Sequence, residues 1–189
     1  MRIDINRIIL AIICGFIFLI GVTGVYKHYV PVIITDTNCK DTTIHEIVID
    51  YTTYNICIKH IKEYEGFRSE PYELDASWYV GYGQQTMDIT TSMTEQEATL
   101  LLQDTFDWYI TFVVNKYNVY GDKALALALL WYNVSPTAIL SSNVNVLILE
   151  GSEDYMAIRD SWMSLCNFQG KPHKKLQERR LFEVSLFFN

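Results

Sequence analysis

The sequence predicts an α+β domain, mostly helical with one small sheet, placed behind a single N-terminal transmembrane helix. Three observations predict it: an uncharged apolar run at residues 8–25, a glycine- and aromatic-rich stretch from 72 to about 90, and a nearly all-apolar helix at 124–131. The 189 residues, half of them apolar, suit one domain with a sizeable core plus an appendage.

Residues 8–25 rise ~1.5 Å each as a helix, giving about 27 Å, close to the ~30 Å of a bilayer core. Arg2 and Arg7 precede the run and favour a cytoplasmic N-terminus. The expectation is a single-pass inner-membrane protein with its domain on the periplasmic side. A cleaved signal peptide is the competing reading, but the run is longer than a usual signal core and no A-x-A-like site follows it. The chain then divides into an anchor at 1–27, a tether at 28–52 and a folded domain at 53–189. Within the tether, Thr43-x-x-Glu46 resembles a helix capping box, while the β-branched Ile47-Val48-Ile49 suits a short strand equally well.

The first helix of the domain is expected from Thr53 to Tyr64, with Cys57, Ile61 and Tyr64 on one face. Glu65-Gly66 ends it. Short antiparallel strands and turns follow, marked by Trp78-Tyr79-Val80 and the glycines Gly81 and Gly83. Met93-Thr94-Glu95-Gln96-Glu97 starts the next helix, Thr94 and Glu97 capping one another. Its inner side is expected to carry Ala98, Leu101, Leu102, Thr105, Tyr109, Phe112 and Val113. Asp122 is expected to cap the apolar helix 124–131, which is greasy on all faces and therefore central. Pro136 suits the first turn of a short helix, Ser142 the start of another that stops at Gly151. A helix over 152–166, a loop with Gly170 and Pro172, and a last helix from His173 to about Phe187 complete the pattern.

The net charge is −7, unevenly spread: residues 1–28 balance to +2 and residues 171–180 to +4, so the middle is acidic. No broad basic face is available to neutralise phosphates, which excludes a general nucleic-acid binder. Of the four cysteines, Cys14 lies in the apolar run, leaving Cys39, Cys57 and Cys166. No Cys/His spacing suggests a metal, and buried thiols with at most one disulfide are expected. No metal or organic cofactor is implied.

The residue with the clearest chemistry is Glu65. An acid at a helix C-terminus is disfavoured as a carboxylate by the negative end of the helix dipole. Apolar neighbours such as Phe67, Tyr72 and Trp78 would hold its proton more tightly still. A carboxylic acid kept protonated is what a glycosidase uses to protonate a leaving oxygen.

Five stations in register now resemble one family. They are Glu65-Gly66-Phe67-Arg68 with Pro71-Tyr72; Trp78-Tyr79-Val80-Gly81-Tyr82-Gly83; Met93-Thr94 with Glu97-Ala98; Tyr132-Asn133-Val134-Ser135; and Gly170-Lys171-Pro172 leading to Glu178-Arg179-Arg180 and Glu183. Together, over residues 53–188, they resemble the phage-type lysozymes of glycoside hydrolase family 24, especially lysozyme-like proteins of Bacteroides-type bacteria. The resemblance implies a small β-lobe and a larger helical lobe with a glycan cleft between them. It implies hydrolysis of the β-1,4 bond between N-acetylmuramic acid and N-acetylglucosamine in peptidoglycan, with Glu65 as general acid. Peptidoglycan strands are then the partner, with the membrane reached through residues 8–25 and a monomer expected.

The chain departs from the family at the other half of the site. The family's second acid, an aspartate, falls on Leu74. Asp75 is the preferred substitute and Glu73 the other. The family threonine before G-Y-G is Tyr79, and the position after it, often histidine, is Gln84, a residue able to hydrogen-bond sugar hydroxyls. These departures keep two alternatives open: a lytic transglycosylase working with Glu65 alone, and an inactive peptidoglycan-binding protein.

Trp78, Tyr79, Gly81, Tyr82, Gln84 and Asn133 are the expected substrate-binding positions. Gly81 and Gly83 suit a tight turn that lets glycan approach the backbone. Tyr82 is a sugar-stacking ring or core, core being favoured. Asn133 either ties the cleft to the helical lobe or caps its helix. Trp108, Trp131 and Trp162 are expected in the core, and His60 in solvent. Most of the basic residues at 173–180 are expected on the surface, with one arginine paired to Glu183 inside the lobe.

Overall fold

The computed structural model describes residues 27–34, 43–74, 76–90, 92–168 and 171–189. The apolar run 8–25, Cys14, Cys39 and Asp75 lie outside them. Among the described residues, no helix is long and apolar enough to cross a membrane.

Strands β1 (Lys27–Ile34) and β2 (Thr43–Asp50) form an antiparallel pair. The segment around Thr43 is therefore strand and not a capped helix, as its β-branched run allows. Helix α1 (Tyr51–Glu65) begins two residues before the expected Thr53, because Asp50 supplies the cap: its Oδ1 accepts the Thr53 amide at 2.8 Å. Gly66 stops the helix, its amide returning to the Lys62 carbonyl at 3.0 Å.

The small sheet is three-stranded and antiparallel, in the order β3 (Arg68–Leu74), β4 (Ser77–Gly81), β5 (Gln84–Thr86). A bulge between Arg68 and Tyr72 resets the pairing so that Tyr72 faces Tyr79.

Helix α2 (Glu95–Tyr117) has the expected capping box: Thr94 donates its amide to Glu97 Oε2 at 2.8 Å, and the Glu97 amide returns to Thr94 Oγ1 at 3.2 Å. Its fully buried stripe is Ala98, Leu102, Phe106, Ile110, Val113, Val114 and Tyr117. Leu101, Thr105, Tyr109 and Phe112 are only half-buried. Trp108, expected in the core, is 60% exposed, stacked on Phe112 with ring centroids 5.6 Å apart. The stripe at i, i+4, i+8 points one way only, and Trp108 falls beyond its edge.

Helix α3 (Gly121–Asn133) buries every residue from Ala124 to Trp131. Asp122 does not cap it; its Oδ2 instead accepts the Asn189 side-chain amide at 3.0 Å and ties down the C-terminus. Short helices α4 (Pro136–Leu140), α5 (Asn143–Leu149) and α6 (Tyr155–Met163) follow. The expected helix over 152–166 is shorter, because Asp154 caps it through Ala157 and a 3-10 turn at Ser164–Cys166 ends it. After the two-residue strands β6 (Asn167–Phe168) and β7 (Lys171–Pro172), helix α7 (Lys174–Phe187) packs on α3 and α6. Cys57 and Cys166 are both buried free thiols.

Candidate active site

Glu65 stands where α1 stops, and its side chain is 26% exposed, neither buried nor in bulk solvent. Arg179, on α7 and 2% exposed, donates from Nη1 to Glu65 Oε1 at 2.8 Å. The second oxygen faces the turn after β4: a Cβ on Gly83 would lie 3.7 Å from Glu65 Oε2. One oxygen is thus held from behind, and the other faces a strip of backbone. A two-oxygen acid oriented this way presents a single oxygen to anything lying on the turn.

The turn itself is built from glycine. Gly81 has φ +66°, and a Cβ there would stand 2.8 Å from Gln84 Oε1 and 3.1 Å from Ala98 Cβ. Gly83, at φ +83°, also takes a conformation that other residues seldom adopt. Between them Tyr82 is core, as favoured, with 2% of its surface exposed. Its hydroxyl donates to Glu95 Oε1 at 2.8 Å, Lys62 lies over its ring, and Phe67 packs beside it.

Gln84 does not present its amide to a ligand. It is 7% exposed; its Oε1 accepts the Tyr82 amide at 2.8 Å and its Nε2 donates to the Tyr132 hydroxyl at 3.2 Å. Its acceptor is spent on the backbone of the turn and its donor on a side chain of α3. Trp78 and Tyr79 are half-buried on β4. The Tyr79 ring lies 5.9 Å from Tyr72, which in turn carries the Arg68 guanidinium at 4.2 Å. Asn133, the last residue of α3, accepts a hydrogen bond from Arg180 Nη2 and so joins α3 to α7.

Glu73, on β3, is solvent-exposed, and Leu74 is 55% exposed. Leu74 pairs with Ser77 across the hairpin, and Ala76 there has a left-handed φ of +61°, a conformation that costs a non-glycine residue energy.

Behind Glu65 is a charge cluster. Glu183 is fully buried, with Arg180 Nη1 3.0 Å from its Oε2, Arg179 Nε 3.7 Å from its Oε1, and Trp162 Nε1 donating at 2.8 Å. Burial pushes Glu183 up and Arg180 down, each toward its neutral form; their mutual attraction opposes both. The expected pairing of an arginine with Glu183 inside the lobe is present, and it involves both Arg179 and Arg180. His60, expected in solvent, is half-buried, stacked on Phe182 at 4.2 Å and beside Tyr64 at 4.6 Å. Desolvation there, with Arg179 and Arg180 nearby, lowers it from 6.5 to about 4.

Sequence reasoning missed the Arg179–Glu65 contact and the Tyr132 hydroxyl. The spacing of Arg179, Arg180 and Glu183 marks a shared helix face and their mutual pairing, and no local signal points to either of the two missed contacts. Two hollows of about 520 and 540 Å³ share Tyr120, Lys123, Glu153 and Phe187, and neither touches Glu65 or the turn. No group of three or more His, Cys, Asp or Glu able to hold a metal occurs among the described residues.

The family model for phage lysozyme matches residues 62–183. Among solved structures, the chain is similar to the muramidase domain of SpmX from Asticaccaulis excentricus, with TM-score 0.61 and 24% identity over 71% of this chain and 95% of that one. It is also similar to an endolysin from Escherichia coli O157:H7 phage FAHEc1, with TM-score 0.56 and 21% identity over 70% and 90% of the two chains. A P22 lysozyme variant matches with TM-score 0.57 and 20% identity over 71% and 96%. At these identities the structural likeness concerns the fold. No curated protein matches.

Proposed function

The chain belongs to the phage lysozyme family, and from that premise we propose that Glu65 is the proton donor of a muramidase acting on the peptidoglycan glycan strand. It is a glycoside hydrolase of the lysozyme type. The observation that carries the proposal is the orientation of Glu65: Arg179 holds Oε1, and Oε2 faces the Gly83 turn.

In this reading the strand lies along the turn, and the bond cleaved is the β-1,4 link between N-acetylmuramic acid and N-acetylglucosamine. Glu65 gives its proton to the bridging oxygen as the bond to the anomeric carbon breaks. A water attacks that carbon and loses its proton to a second carboxylate, Asp75 or else Glu73. The uncharged run 8–25 supports tethering of the domain to the inner membrane from its periplasmic side.

Glu65→Gln tests the assignment on purified sacculi. The expected loss of solubilising activity is on the order of 10³-fold, within the range of general acid catalysis. Equal clearing by both proteins would remove Glu65 from the chemistry. Reducing muramic ends in the products support hydrolysis, whereas anhydro ends would replace it with transglycosylation.

A further inference from the structure

Tyr82 is gripped at both of its backbone polar atoms by two side chains that also hold each other. Its amide donates to Gln84 Oε1 at 2.8 Å, its carbonyl accepts from the Tyr132 hydroxyl at 3.0 Å, and Gln84 Nε2 donates to that same hydroxyl at 3.2 Å. The grip spans two parts of the fold: Gln84 starts β5, while Tyr132 is on the last turn of α3, whose preceding eight residues are all buried. The residue after Tyr82 is Gly83, the part of the turn that faces Glu65 Oε2. Tyr132 is seated from its other side as well, its ring lying edge-on to Tyr109 at 6.0 Å. Burial, with Glu65 nearby as a second cause, pushes its phenol far above the ordinary range, so the hydroxyl keeps its proton and donates to the Tyr82 carbonyl.

Gly81 and Gly83, at φ +66° and +83°, give the turn backbone freedom that other residues would not. Left alone, Gly81 and Gly83 would let it swing, and the distance between Glu65 and a sugar lying on the turn would swing with it. We propose that Tyr132 and Gln84 are a positioning pair, locking the turn to the rigid helix α3 so that the scissile oxygen is presented to Glu65 at one fixed distance. The inference rests on Glu65 being the proton donor. Neither residue is a catalytic residue: they act through the turn, and a displacement of ~1 Å is enough to cost a large factor in rate.

The test uses the full chain with Tyr132→Phe, Gln84→Met and the double substitution, assayed on soluble uncrosslinked glycan strands. Each single change is expected to lower kcat about tenfold with apparent KM within about twofold, since the turn moves but the groove remains. Because either loss frees the same turn, the double variant is expected within about twofold of the worse single one. Multiplying losses, or a raised KM with unchanged kcat, would overturn the proposal. Amide exchange supplies a readout independent of turnover. In Tyr132→Phe the amides of Tyr82 and Gly83 should exchange at least tenfold faster while those of Ile58 and Ile61 in α1 keep their rates. Unchanged turn amides would refute the lock even if activity fell. Were wild type and Glu65→Gln equally active, the proton-donor assignment would fail instead, and amide exchange would still decide whether the lock exists.

Discussion

Helices α3 and α7 pack against each other at the centre of the helical lobe and bury different chemistry. From Ala124 to Trp131, α3 hides alanines, leucines and one tryptophan. Its partner hides Arg179, Arg180 and Glu183 alongside Val184, Leu186 and Phe187. Apolar side chains leave water with a gain of ~25 cal/mol per Å² and need no particular partner. Buried charges gain nothing alone and persist only when paired. The two walls accordingly meet the site in different ways. From α3 comes a neutral hydroxyl that holds the turn, and from α7 comes a guanidinium that holds Glu65.

That contrast can be broken at the charged wall first. Glu183→Ala takes the carboxylate partner from the fully buried Arg180 and is expected to cost ~3–5 kcal/mol in urea denaturation. A cost below ~1 kcal/mol would mean that water reaches these charges and the wall is not truly buried. At the apolar wall, Leu127→Ala is expected to cost ~2–5 kcal/mol through lost burial and the cavity left behind. Its effect on activity should follow the folded fraction alone. Glu183→Ala should depress activity beyond that fraction, because Arg179, which holds Glu65, loses its neighbouring carboxylate. Equal activity per folded molecule in the two variants would erase the distinction between the walls.

The smallest expected effect is a pH dependence. Burial of His60 against Phe182 and Tyr64, with the positive charges of Arg179 and Arg180 as the lesser cause, lowers it from 6.5 to about 4. Between these values the unfolded chain takes up a proton that the folded chain refuses. Its contribution to stability is complete above pH 6.5 and is lost as pH falls toward about 4. His60→Phe keeps an aromatic ring in the stack and removes the proton site, so its melting temperature should fall less steeply across that window. Parallel curves for the two proteins would show that burial does not hold His60 neutral.

Much of the local architecture was legible because its causes are local. The Thr94 and Glu97 box started α2 where expected, Gly66 stopped α1 directly after Glu65, and the small sheet lies in the aromatic and glycine-rich stretch. Where reading failed locally, a nearer competitor won, as when Asp50 rather than a downstream residue began α1. Trp108 and His60 exchanged their expected surroundings for a different reason. A single aromatic or imidazole ring suits either core or surface, and the neighbouring helix decides which.

By itself the chain order determined that an acid would end a helix beside a glycine turn, and that residues 124–131 would be buried, because dihedral preference and hydrophobicity act within a few residues. Only the tertiary structure decided what holds that acid and that turn. Arg179 meets Glu65 across 114 positions of sequence, and Tyr132 meets Tyr82 across 50. A charge or a hydroxyl commits to no partner until packing removes water from around it, and packing is a property of the whole fold.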